Sequence, residues 1–415
     1  MNNRQTNFDD SIPLVSQSRR VWMAIILGAL SAFGPLSIDM YLPSLPILTQ
    51  DLHTSTSFAQ FSLTACLLGL SFGQLVAGSQ SDVHGRRLPL LIGLVGYTVS
   101  SLLCALSPSI WSLILLRFIQ GFAGSAGIAI SRAIVRDLYS GSEMIKFFSL
   151  LMLVNGVGPI FAPIIGGQLL EFTSWRGVFL VLSLVGIVML LTVFFALPET
   201  LPPQRRSQAG LINTLVTFRA LICDRVFMGY ALPQGLVMAA MFAYISGSPY
   251  VIQNIFGASP QMFSIFFAIN GLGIIIAGQI TGRLASRING TKLYLSGLVL
   301  ASIGGISLLT MILIGAGLNA ILLPLFVVVS SVGVVSTAGS SLAMENYGQS
   351  AGSASALLGL FSFVIGAIVA PLVGLGGGNT AVPMGIVIAV AEIGAILCYA
   401  LLRPRISLGG SGEAK

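Results

Sequence analysis

Charged side chains are scarce in this chain of 415 residues: Asp, Glu, Lys and Arg make up only 8% of it, while hydrophobic residues make up 55%. A typical soluble domain carries roughly a quarter charged residues. The mean hydropathy of +0.94 comes from many separate apolar segments rather than from one core. This shortage of charge excludes an ordinary soluble enzyme and predicts an all-α protein that crosses the membrane many times.

Cysteine and histidine are also few, and their positions exclude the sites that need them. The four cysteines form no CxxC pair, so neither a disulfide framework nor a zinc site is predicted. Gly69-Leu-Ser71-Phe-Gly73 matches the GxSxG pattern of hydrolases, but the two histidines, His53 and His84, lie in connections on opposite sides. We therefore interpret this stretch as a helix contact through small residues. No phosphate-cradling loop is present, and no cofactor or metal is expected.

Twelve apolar runs are long enough to span a bilayer, which requires about 20 residues per helix. They cover 22–43, 58–80, 89–106, 110–131, 146–170, 176–197, 228–252, 262–285, 293–315, 319–343, 353–375 and 382–402. A polar stretch between the sixth and seventh runs divides them into two groups. We therefore predict the following domains: a tail at 1–20, a six-helix bundle at 21–197, a linker at 198–227, a second six-helix bundle at 228–402 and a tail at 403–415.

Nearly all basic residues fall on one side of the predicted spans. If the N-terminus is inside, only Arg117 and Arg176 among the 20 Lys and Arg residues lie away from the cytoplasmic flanks. Because Lys and Arg beside a span resist translocation, both termini of this multi-pass protein are predicted to be cytoplasmic. The net charge of +7 and the pI of about 9.5 follow from this topology and do not indicate nucleic acid as a partner.

Two related signatures lie on the predicted cytoplasmic side. Gly78-Ser-Gln-Ser-Asp82-Val-His-Gly85-Arg86-Arg87 joins the second span to the third. A weaker echo, Gly278-Gln-Ile-Thr-Gly282-Arg283-Leu-Ala-Ser-Arg287-Ile-Asn-Gly290-Thr-Lys292, joins the eighth to the ninth. An alignment of the two places Gly85 on Gly290 and Arg87 on Lys292. The chain is thus predicted to consist of two related halves, as in many solute transporters.

Three ionisable residues remain at membrane depth, and each is a functional candidate because a charge in hydrocarbon is costly. Asp39 and Arg117 are expected at comparable depth, so we interpret Asp39 as a proton carrier whose ionisation Arg117 modulates. The alternative is a solvated Asp39 in the outer interface and an Arg117 that binds backbone carbonyls. Glu392 is either a second proton-coupling residue or a neutral carboxyl that is hydrogen-bonded to a neighbouring helix.

Glycine and proline are concentrated in spans four and five. Small residues in Leu116-Arg117-Phe-Ile-Gln-Gly-Phe-Ala-Gly-Ser-Ala-Gly127 let helices approach closely. The prolines of Asn155-Gly-Val-Gly-Pro-Ile-Phe-Ala-Pro-Ile-Ile-Gly-Gly167 remove helix hydrogen bonds. We predict a bent, closely packed hinge in span five, with static packing as the alternative. The hinge residues are Gly158, Pro159, Pro163, Gly166 and Gly167.

These residues carry a resemblance to a known family. The run from Gly78 to Arg87 resembles motif A of the major facilitator superfamily, the Arg117 stretch resembles its motif B, and the span-five run resembles the motif C of drug:proton antiporters. Further stretches are similar to the bicyclomycin and chloramphenicol resistance (Bcr/CflA) branch: Leu36-Ser-Ile-Asp-Met-Tyr-Leu-Pro43, Ser174-Trp-Arg176 and Pro198-Glu-Thr-Leu-Pro-Pro203. The motifs match in order and placement over nearly the whole chain.

The resemblance implies two pseudo-symmetric six-helix bundles that rock about a central cavity by alternating access. It also implies that a proton enters as a drug leaves, with Asp39 as the acidic residue of the branch's first helix and Arg117 as the motif B arginine. The sequence departs from the family pattern at two positions. Ala162 stands where motif C usually has glycine, and Arg287 replaces an acidic residue of the second motif A copy. Only the first copy is therefore expected to keep a full charge latch.

We expect the first motif A copy to form a gating loop from Gly78, Asp82, Gly85, Arg86 and Arg87. Glycine at position 85 permits a tight turn, and the two arginines hold the inner surface. The carboxylate at position 82 could face the positive N-terminal end of span eleven, which opens at Ser350-Ala-Gly-Ser353, and loss of this contact would favour the inward-open state. The alternative is that this carboxylate pairs with one of the two arginines in a solvated loop.

The candidate lining of the substrate cavity consists of aromatic, Met and Asn residues: Tyr41, Met152, Asn155, Met238, Met241, Phe242, Tyr244, Phe266, Phe267 and Asn270. Flexible Met and flat aromatic side chains suit varied apolar ligands. We therefore expect a proton-coupled exporter of small antimicrobials such as chloramphenicol or bicyclomycin, not an enzyme, acting as a monomer in a bacterial inner membrane. A metabolite exporter, such as for an amino acid or a sugar, and a non-transporting receptor are the alternatives.

Overall fold

The computed structural model describes residues 17–139, 141–206, 211–345, 347 and 351–402. Within these ranges the chain consists of helices and short connections, with no strand. Twelve helical segments are long and apolar enough to cross a membrane. The predicted all-α class and the twelve predicted spans are therefore confirmed.

The helices are named in chain order. Their bounds are α1 (Gln17–Ser31), α2 (Phe33–Asp39), α3 (Leu45–Asp51), α4 (Thr56–His84), α5 (Arg87–Ala105), α6 (Ile110–Leu138), α7 (Gly141–Phe172), α8 (Trp175–Ala196), α9 (Leu211–Cys223), α10 (Arg225–Pro249), α11 (Pro260–Leu284), α12 (Gly290–Leu313), α13 (Leu318–Met344), α14 (Ala351–Val373) and α15 (Val382–Leu402). Helices α1 to α3 together form the first span, whereas α9 belongs to the linker. Each remaining helix contributes one span.

Some helices extend beyond the predicted spans. Helix α4 continues to His84 rather than ending at residue 80, and the hydroxyl of Ser81 donates to the carbonyl of Gly78 within it. Polar residues interrupt an apolar run, but they do not interrupt helical hydrogen bonding when their side chains bond to the preceding turn. Most of the first motif A copy is therefore helical, and the connection is confined to Gly85 and Arg86.

The connections between spans lie at two ends of the molecule. The end that contains Gly85, Tyr139, 197–206 and 285–289 carries most of the arginines, and we call it the basic end. The opposite end contains 42–44, 106–109, 173–174, 256–259, 314–317 and 374–381, and we call it the distal end. Each span joins one end to the other, so consecutive spans are antiparallel.

Two six-helix bundles make up the fold. In the first bundle α4 packs closely on α6, because a Cβ atom at Gly69 or Gly73 would collide with the backbone of Phe118 or Phe122. This contact agrees with the interpretation of the GxSxG stretch as a helix contact. Helix α4 also packs on α14, and α7 packs on α11, so these two pairs join the bundles.

The bundles are closed against each other at the distal end. Thr64 Oγ1 donates to the carbonyl of Ala367 at 3.2 Å, and Ser264 Oγ donates to the carbonyl of Pro163 at 2.7 Å. Among the residues that the structure describes, every hydrogen bond that crosses between the bundles lies in the distal half. The basic halves are therefore free to separate without breaking such a bond in the described ranges.

The linker contains a helix that the sequence did not predict. Phe218 and Leu221 of α9 are buried in the core of the second bundle. Helix α10 begins directly after it at Arg225, earlier than the predicted residue 228, because Asp224 caps its first turn. The predicted domain boundaries themselves stay a prediction.

Candidate transport site between the two bundles

The first span is broken directly after Asp39. Helix α2 ends at Asp39, a 3₁₀ turn follows at Leu42–Ser44, and α3 starts at Leu45. Pro43 and Pro46 cause the break, since neither has an N–H to donate to the carbonyl four residues earlier. The break leaves free backbone carbonyls beside an acidic residue inside the membrane-spanning part of the chain.

Asp39 itself lies near the interface between the bundles. Its side chain is 5% exposed, and no hydrogen bond or ion pair to its carboxyl is found within the described ranges. It lies close enough to Tyr244 of α10 to act on that hydroxyl electrostatically. The backbone of the next residue, Met40, lies against Gly166 of α7, where a Cβ atom would collide with the Met40 carbonyl. Asp39 thus lies where the first span packs on α7, within electrostatic range of α10.

Arg117 does not pair with Asp39 in this arrangement. The guanidinium lies 4.9 Å from the ring centroid of Tyr41 and 5.5 Å from that of Phe179, and it donates to Gln120 Oε1 at 2.5 Å. Its Nε and one terminal nitrogen have no partner among the residues that the structure describes. Two aromatic faces therefore offset the charge of a fully buried arginine in place of a carboxylate.

Glu392 lies apart from both residues, inside the second bundle. Its side chain is fully buried, and neither carboxyl oxygen has a hydrogen-bond partner in the described part of the chain. Ser302 Oγ donates to its backbone carbonyl at 3.1 Å, and Gly305 of α12 faces its side chain. The three predicted proton-coupling residues are therefore not brought together in one site.

A cavity of about 260 Å³ lies between α7 of the first bundle and α10, α11 and α13 of the second. Five of the predicted cavity residues line it: Asn155, Met238, Met241, Tyr244 and Phe267. The rings of Tyr244 and Phe267 are stacked, with centroids 5.4 Å apart. The cavity thus combines a flat aromatic wall with flexible thioethers, and Asp39 lies within electrostatic range of Tyr244.

The other predicted cavity residues lie elsewhere. Tyr41 packs against Arg117, Phe242 packs against Phe363 of α14, and Phe266 packs against the core. Asn270 lies behind the wall and donates to the Tyr244 hydroxyl at 2.9 Å. Met152 belongs to α7, but its side chain lies outside the described residues. None of these four described side chains lines the cavity.

Sequence reasoning missed the contribution of α13. The structure places Val329, Val332 and Ser336 in the cavity wall, together with Ile274 and Ile275 of α11. Aliphatic residues of this kind occur on every face of a membrane helix, so no signal in the sequence separates cavity-facing positions from lipid-facing ones.

The predicted hinge residues lie in α7, which runs without interruption through both prolines. Gly158 faces Pro35 of the first span, and Gly167 faces Pro260 and Ser264 of α11. The carbonyl of Pro163 accepts the Ser264 hydrogen bond, which joins α7 to the second bundle. The glycines thus allow close approach to two partners, and the predicted hinge motion stays a prediction.

The first motif A copy forms a buried ionic cluster at the basic end. Arg86 is only 2% exposed. Its Nε donates to Asp137 Oδ2 at 2.7 Å, and one terminal nitrogen donates to Asp82 Oδ1 at 2.6 Å and to Ser81 Oγ at 2.8 Å. Asp82 therefore pairs with Arg86, one of the two arginines that the alternative named, but from within α4 and with a buried guanidinium rather than in a solvated loop. Ser350, where the predicted latch contact falls, lies outside the described residues, as do the side chains of Ala351, Gly352 and Ser353.

Glu199 of the linker caps the start of α5. Its carboxylate accepts hydrogen bonds from the backbone N–H groups of Arg86 at 2.8 Å and Arg87 at 3.1 Å, and from Thr200 and Leu201. Burial alone would raise the pKa of Glu199, but these backbone hydrogen bonds outweigh it and lower the pKa. A linker carboxylate thus supplies the cap that Arg86 at the start of α5 lacks.

Gly85 is required by this arrangement. Its φ of +91° lies in the left-handed region, which side chains disfavour, and a Cβ atom there would collide with the Glu199 carboxylate. The guanidinium of Arg87 turns the other way, to the carbonyl and ring of Phe194 at the end of α8. The remaining member of the motif, Gly78, has open space beside it.

Comparisons with known proteins agree with this architecture. Residues 25–371 match the sequence profile of the Major Facilitator Superfamily, so the chain belongs to this superfamily of transporters, which are not enzymes. Within it the chain is of the Bcr/CflA type. It is 30% identical to the bicyclomycin resistance protein homolog of Haemophilus influenzae, over 94% of this chain and 98% of that protein.

Two further similarities support this assignment. The chain is 46% identical to the uncharacterized MFS-type transporter YdgK of Bacillus subtilis, over 93% of this chain and 97% of that protein. The crystal structure of the nucleoside transporter NupG superposes with a TM-score of 0.76 at 14% identity, covering 93% of this chain and all of that one. At this identity the superposition shows the fold alone, namely two pseudo-symmetric six-helix bundles.

Proposed function

We propose that this protein is a proton-coupled exporter of small antimicrobials, such as chloramphenicol or bicyclomycin, in a bacterial inner membrane. The observation that carries the proposal is the cavity between the bundles, whose wall of Met238, Met241, Tyr244 and Phe267 lies within electrostatic range of Asp39 through Tyr244. Thioethers and flat rings adapt to apolar ligands of varied shape. A carboxyl next to such a wall can exchange a proton as the ligand is bound or released.

The relatives favour drugs over other substrates. A protein named for bicyclomycin resistance covers nearly the whole chain at 30% identity. The described cavity contributes only Asn155, Tyr244 and Ser336 as polar side chains. A sugar site needs many polar groups and a carboxylate site needs a free cation, so this lining suits a largely apolar molecule.

The proposed cycle uses the two ends of the molecule in turn. We propose that the basic end and both termini face the cytoplasm, because Lys and Arg beside spans resist translocation. The arrangement described above is closed on the outside, so the cavity takes up the drug from the cytoplasmic side. The predicted domains, 21–197 and 228–402, are the rigid units that rock, and the monomer is the functional unit.

Asp39 is the proposed proton carrier. Burying a charge without a partner is costly, so the closed distal end fits an uncharged Asp39. Opening of the distal end would admit water and allow exchange with the outside. Arg117 keeps two nitrogens free of partners in the described ranges, and these can receive the carboxylate when the first span moves.

The test is drug efflux from proteoliposomes under an imposed pH gradient, with chloramphenicol and bicyclomycin as substrates. We expect gradient-driven efflux by the unaltered protein and its loss in Asp39→Asn, with drug binding retained. The parallel variant Glu392→Gln, which removes a carboxyl enclosed in the second bundle, should keep it. Efflux that survives in Asp39→Asn and fails in Glu392→Gln moves the coupling to Glu392. Efflux of neither drug by the unaltered protein would favour the metabolite exporter.

A further inference from the structure

The distal end of the seventh span is a π-helix. Residues Tyr250–Ile255 form this six-residue segment directly after Pro249, at the end of α10. Such segments are rare, and they frequently occur at functional sites because the extra residue per turn redirects the side chains. Two side chains of the segment, Tyr250 and Gln253, bond to the other bundle.

Both side chains bond to the broken part of the first span. Gln253 Nε2 donates to the carbonyl of Pro43 at 3.2 Å. The hydroxyl of Tyr250 shares a 2.7 Å hydrogen bond with Thr49 Oγ1 and donates to the carbonyl of Leu45 at 3.4 Å. The carbonyl of Leu45 also accepts the hydroxyl of Thr49 at 2.8 Å, within α3. The π-helix of one bundle thus docks on the broken segment of the other.

The docked segment begins at the residue after Asp39. Met40, Tyr41 and the 3₁₀ turn at Leu42–Ser44 connect Asp39 to the carbonyls that accept these bonds. The segment is also held from the side, where the carbonyl of Met40 contacts Gly166. With so short a connection, a shift of the docked segment shifts the environment of the carboxyl.

We propose that Tyr250 and Gln253 are positioning residues that fix the segment 40–45, and through it Asp39, so that closure of the distal end is coupled to the proton carried by Asp39. The inference rests on the proposed role of Asp39 as the proton carrier. It adds that the coupling is transmitted by neutral hydrogen bonds across the two bundles rather than by an ion pair.

The surroundings of Asp39 leave few other groups that could carry the pH dependence. Titratable side chains on the elements around it are Cys66, Asp82 and His84 on α4, Arg117, Arg132, Arg136 and Asp137 on α6, Glu143, Lys146 and Glu171 on α7, and Arg225, Tyr230 and Tyr244 on α10. Those at the basic ends of α4, α6 and α10 lie away from position 39. Those of α7 lie towards its two ends, and Arg117 is enclosed by Tyr41 and Phe179. A carboxyl at position 39 is thus the group among them that a proton can charge or neutralise at the interface.

A matched control exists at the same end of the molecule. Gln261 Nε2 of α11 donates to the carbonyl of Gly167 in α7 at 3.0 Å. This bond also joins the bundles by a glutamine and a backbone carbonyl, but it does not touch the first span. Gln261→Leu should therefore loosen distal closure without changing how closure depends on Asp39.

The experiment measures distal closure by the distance between spin labels on Glu171→Cys and Leu313→Cys, at exposed distal ends of α7 and α12, in lipid nanodiscs. The full chain carries alanine at its native cysteines. At each pH we take the population of the closed distal end divided by that of the open one. The coupling ratio is this value at about pH 5 divided by the value at about pH 9. The two pH values span the ionisation of a membrane carboxyl.

We expect a coupling ratio above one in the unaltered protein and close to one in Asp39→Asn. Tyr250→Phe, Thr49→Val and Gln253→Leu should each lower it about threefold or more, which equals half a unit of differential pKa. Gln261→Leu should reduce closure by the same factor at both pH values and leave the ratio unchanged.

The outcomes separate the two hypotheses. If Asp39→Asn lowers the ratio to one but Gln253→Leu and Tyr250→Phe behave like Gln261→Leu, the positioning role is wrong and the proton carrier stands. If Asp39→Asn keeps the ratio of the unaltered protein, the proton carrier is wrong and the inference falls with it. A ratio of one in the unaltered protein rejects both.

Discussion

The two motif A copies occupy equivalent places in the two bundles, yet their structures differ. In the first, Arg86 is buried among Asp82, Asp137 and Ser81, and Glu199 caps the following helix. In the second, Arg283, Arg287 and Lys292 are exposed, and no ion pair involves them within the described ranges. The aligned connections therefore differ: the first contains a buried ionic cluster, whereas the basic side chains of the second are exposed to solvent.

The difference follows from two departures at aligned positions, because Arg287 aligns with Asp82 and Thr291 aligns with Arg86. The second copy therefore lacks both the carboxylate and the arginine that form the buried ion pair of the first. Its polar anchor is smaller, and consists of Asn289 capping the first turn of α12. Buried ion pairs thus stabilise the basic end of the first bundle. At the same end, the second bundle depends on apolar packing.

The largest effect is expected from Arg86→Ala. This change leaves Asp137, whose side chain is 12% exposed, without its cation, and breaking a buried ion pair typically costs about 3 kcal/mol or more. Thermal unfolding in detergent measures the loss. The comparison variant is Arg287→Ala, which removes an exposed arginine from the second copy and should stay within about 0.5 kcal/mol. Equal losses in the two variants would contradict the asymmetry.

Gly85→Ala should have the next largest effect. A side chain at a φ of +91° costs about 1–2 kcal/mol, and the Glu199 carboxylate must also move. The aligned glycine, Gly290, begins α12, and a Cβ atom there would lie 3.4 Å from Leu342, an ordinary contact. Gly290→Ala should therefore leave the unfolding temperature nearly unchanged, and a comparable drop in both variants would show that the turns are alike after all.

Asp224→Ala tests the strength of the linker's attachment to the second bundle. The carboxylate accepts the N–H groups of Val226 and Phe227 at the start of α10, and loss of such a cap costs about 1 kcal/mol. The hydrogen bond from Tyr347 is the main reason that the pKa of Asp224 is lowered. Asp224→Asn keeps the cap and should recover most of the unfolding temperature; failure to recover it would assign the effect to charge instead.

Glu199→Gln should have the smallest effect, and its effect should depend on pH. Because backbone hydrogen bonds outweigh burial and lower the pKa of Glu199, its contribution is complete above the ordinary pKa of a glutamate and is lost as the pH falls through the lowered one. The variant should be less stable at neutral pH by under about 1 kcal/mol, since solvent screens the exposed carboxylate. The difference should vanish in acid.

Unfolding temperatures of both proteins measured from neutral to acidic pH check this prediction. The control is Glu345→Gln, which removes an exposed carboxylate at the end of α13 in the second bundle. A difference that persists unchanged in acid would show that Glu199 stabilises the loop through its shape and not through its charge.

The candidate site was predictable only where residue type carries the signal. Asp39, Tyr244 and Phe267 could be identified because an acid or a ring in a membrane helix is conspicuous. The assignment of Tyr41 and Phe242 to the cavity was not supported, since their rings pack on Arg117 and Phe363. Helical periodicity defines a face, but the neighbour of that face is decided by how the helices pack.

Local properties of the chain determined its spans, its two halves and its basic end. They also determined that Asp39, Arg117 and Glu392 lie at membrane depth. Hydropathy and charge can predict these features because they act residue by residue along a helix. Tertiary structure alone decided that Arg117 is enclosed by two rings instead of pairing with Asp39, that α13 lines the cavity, and that Glu199 caps α5. Each of these depends on contacts between residues distant in sequence, which are created only when the helices pack together.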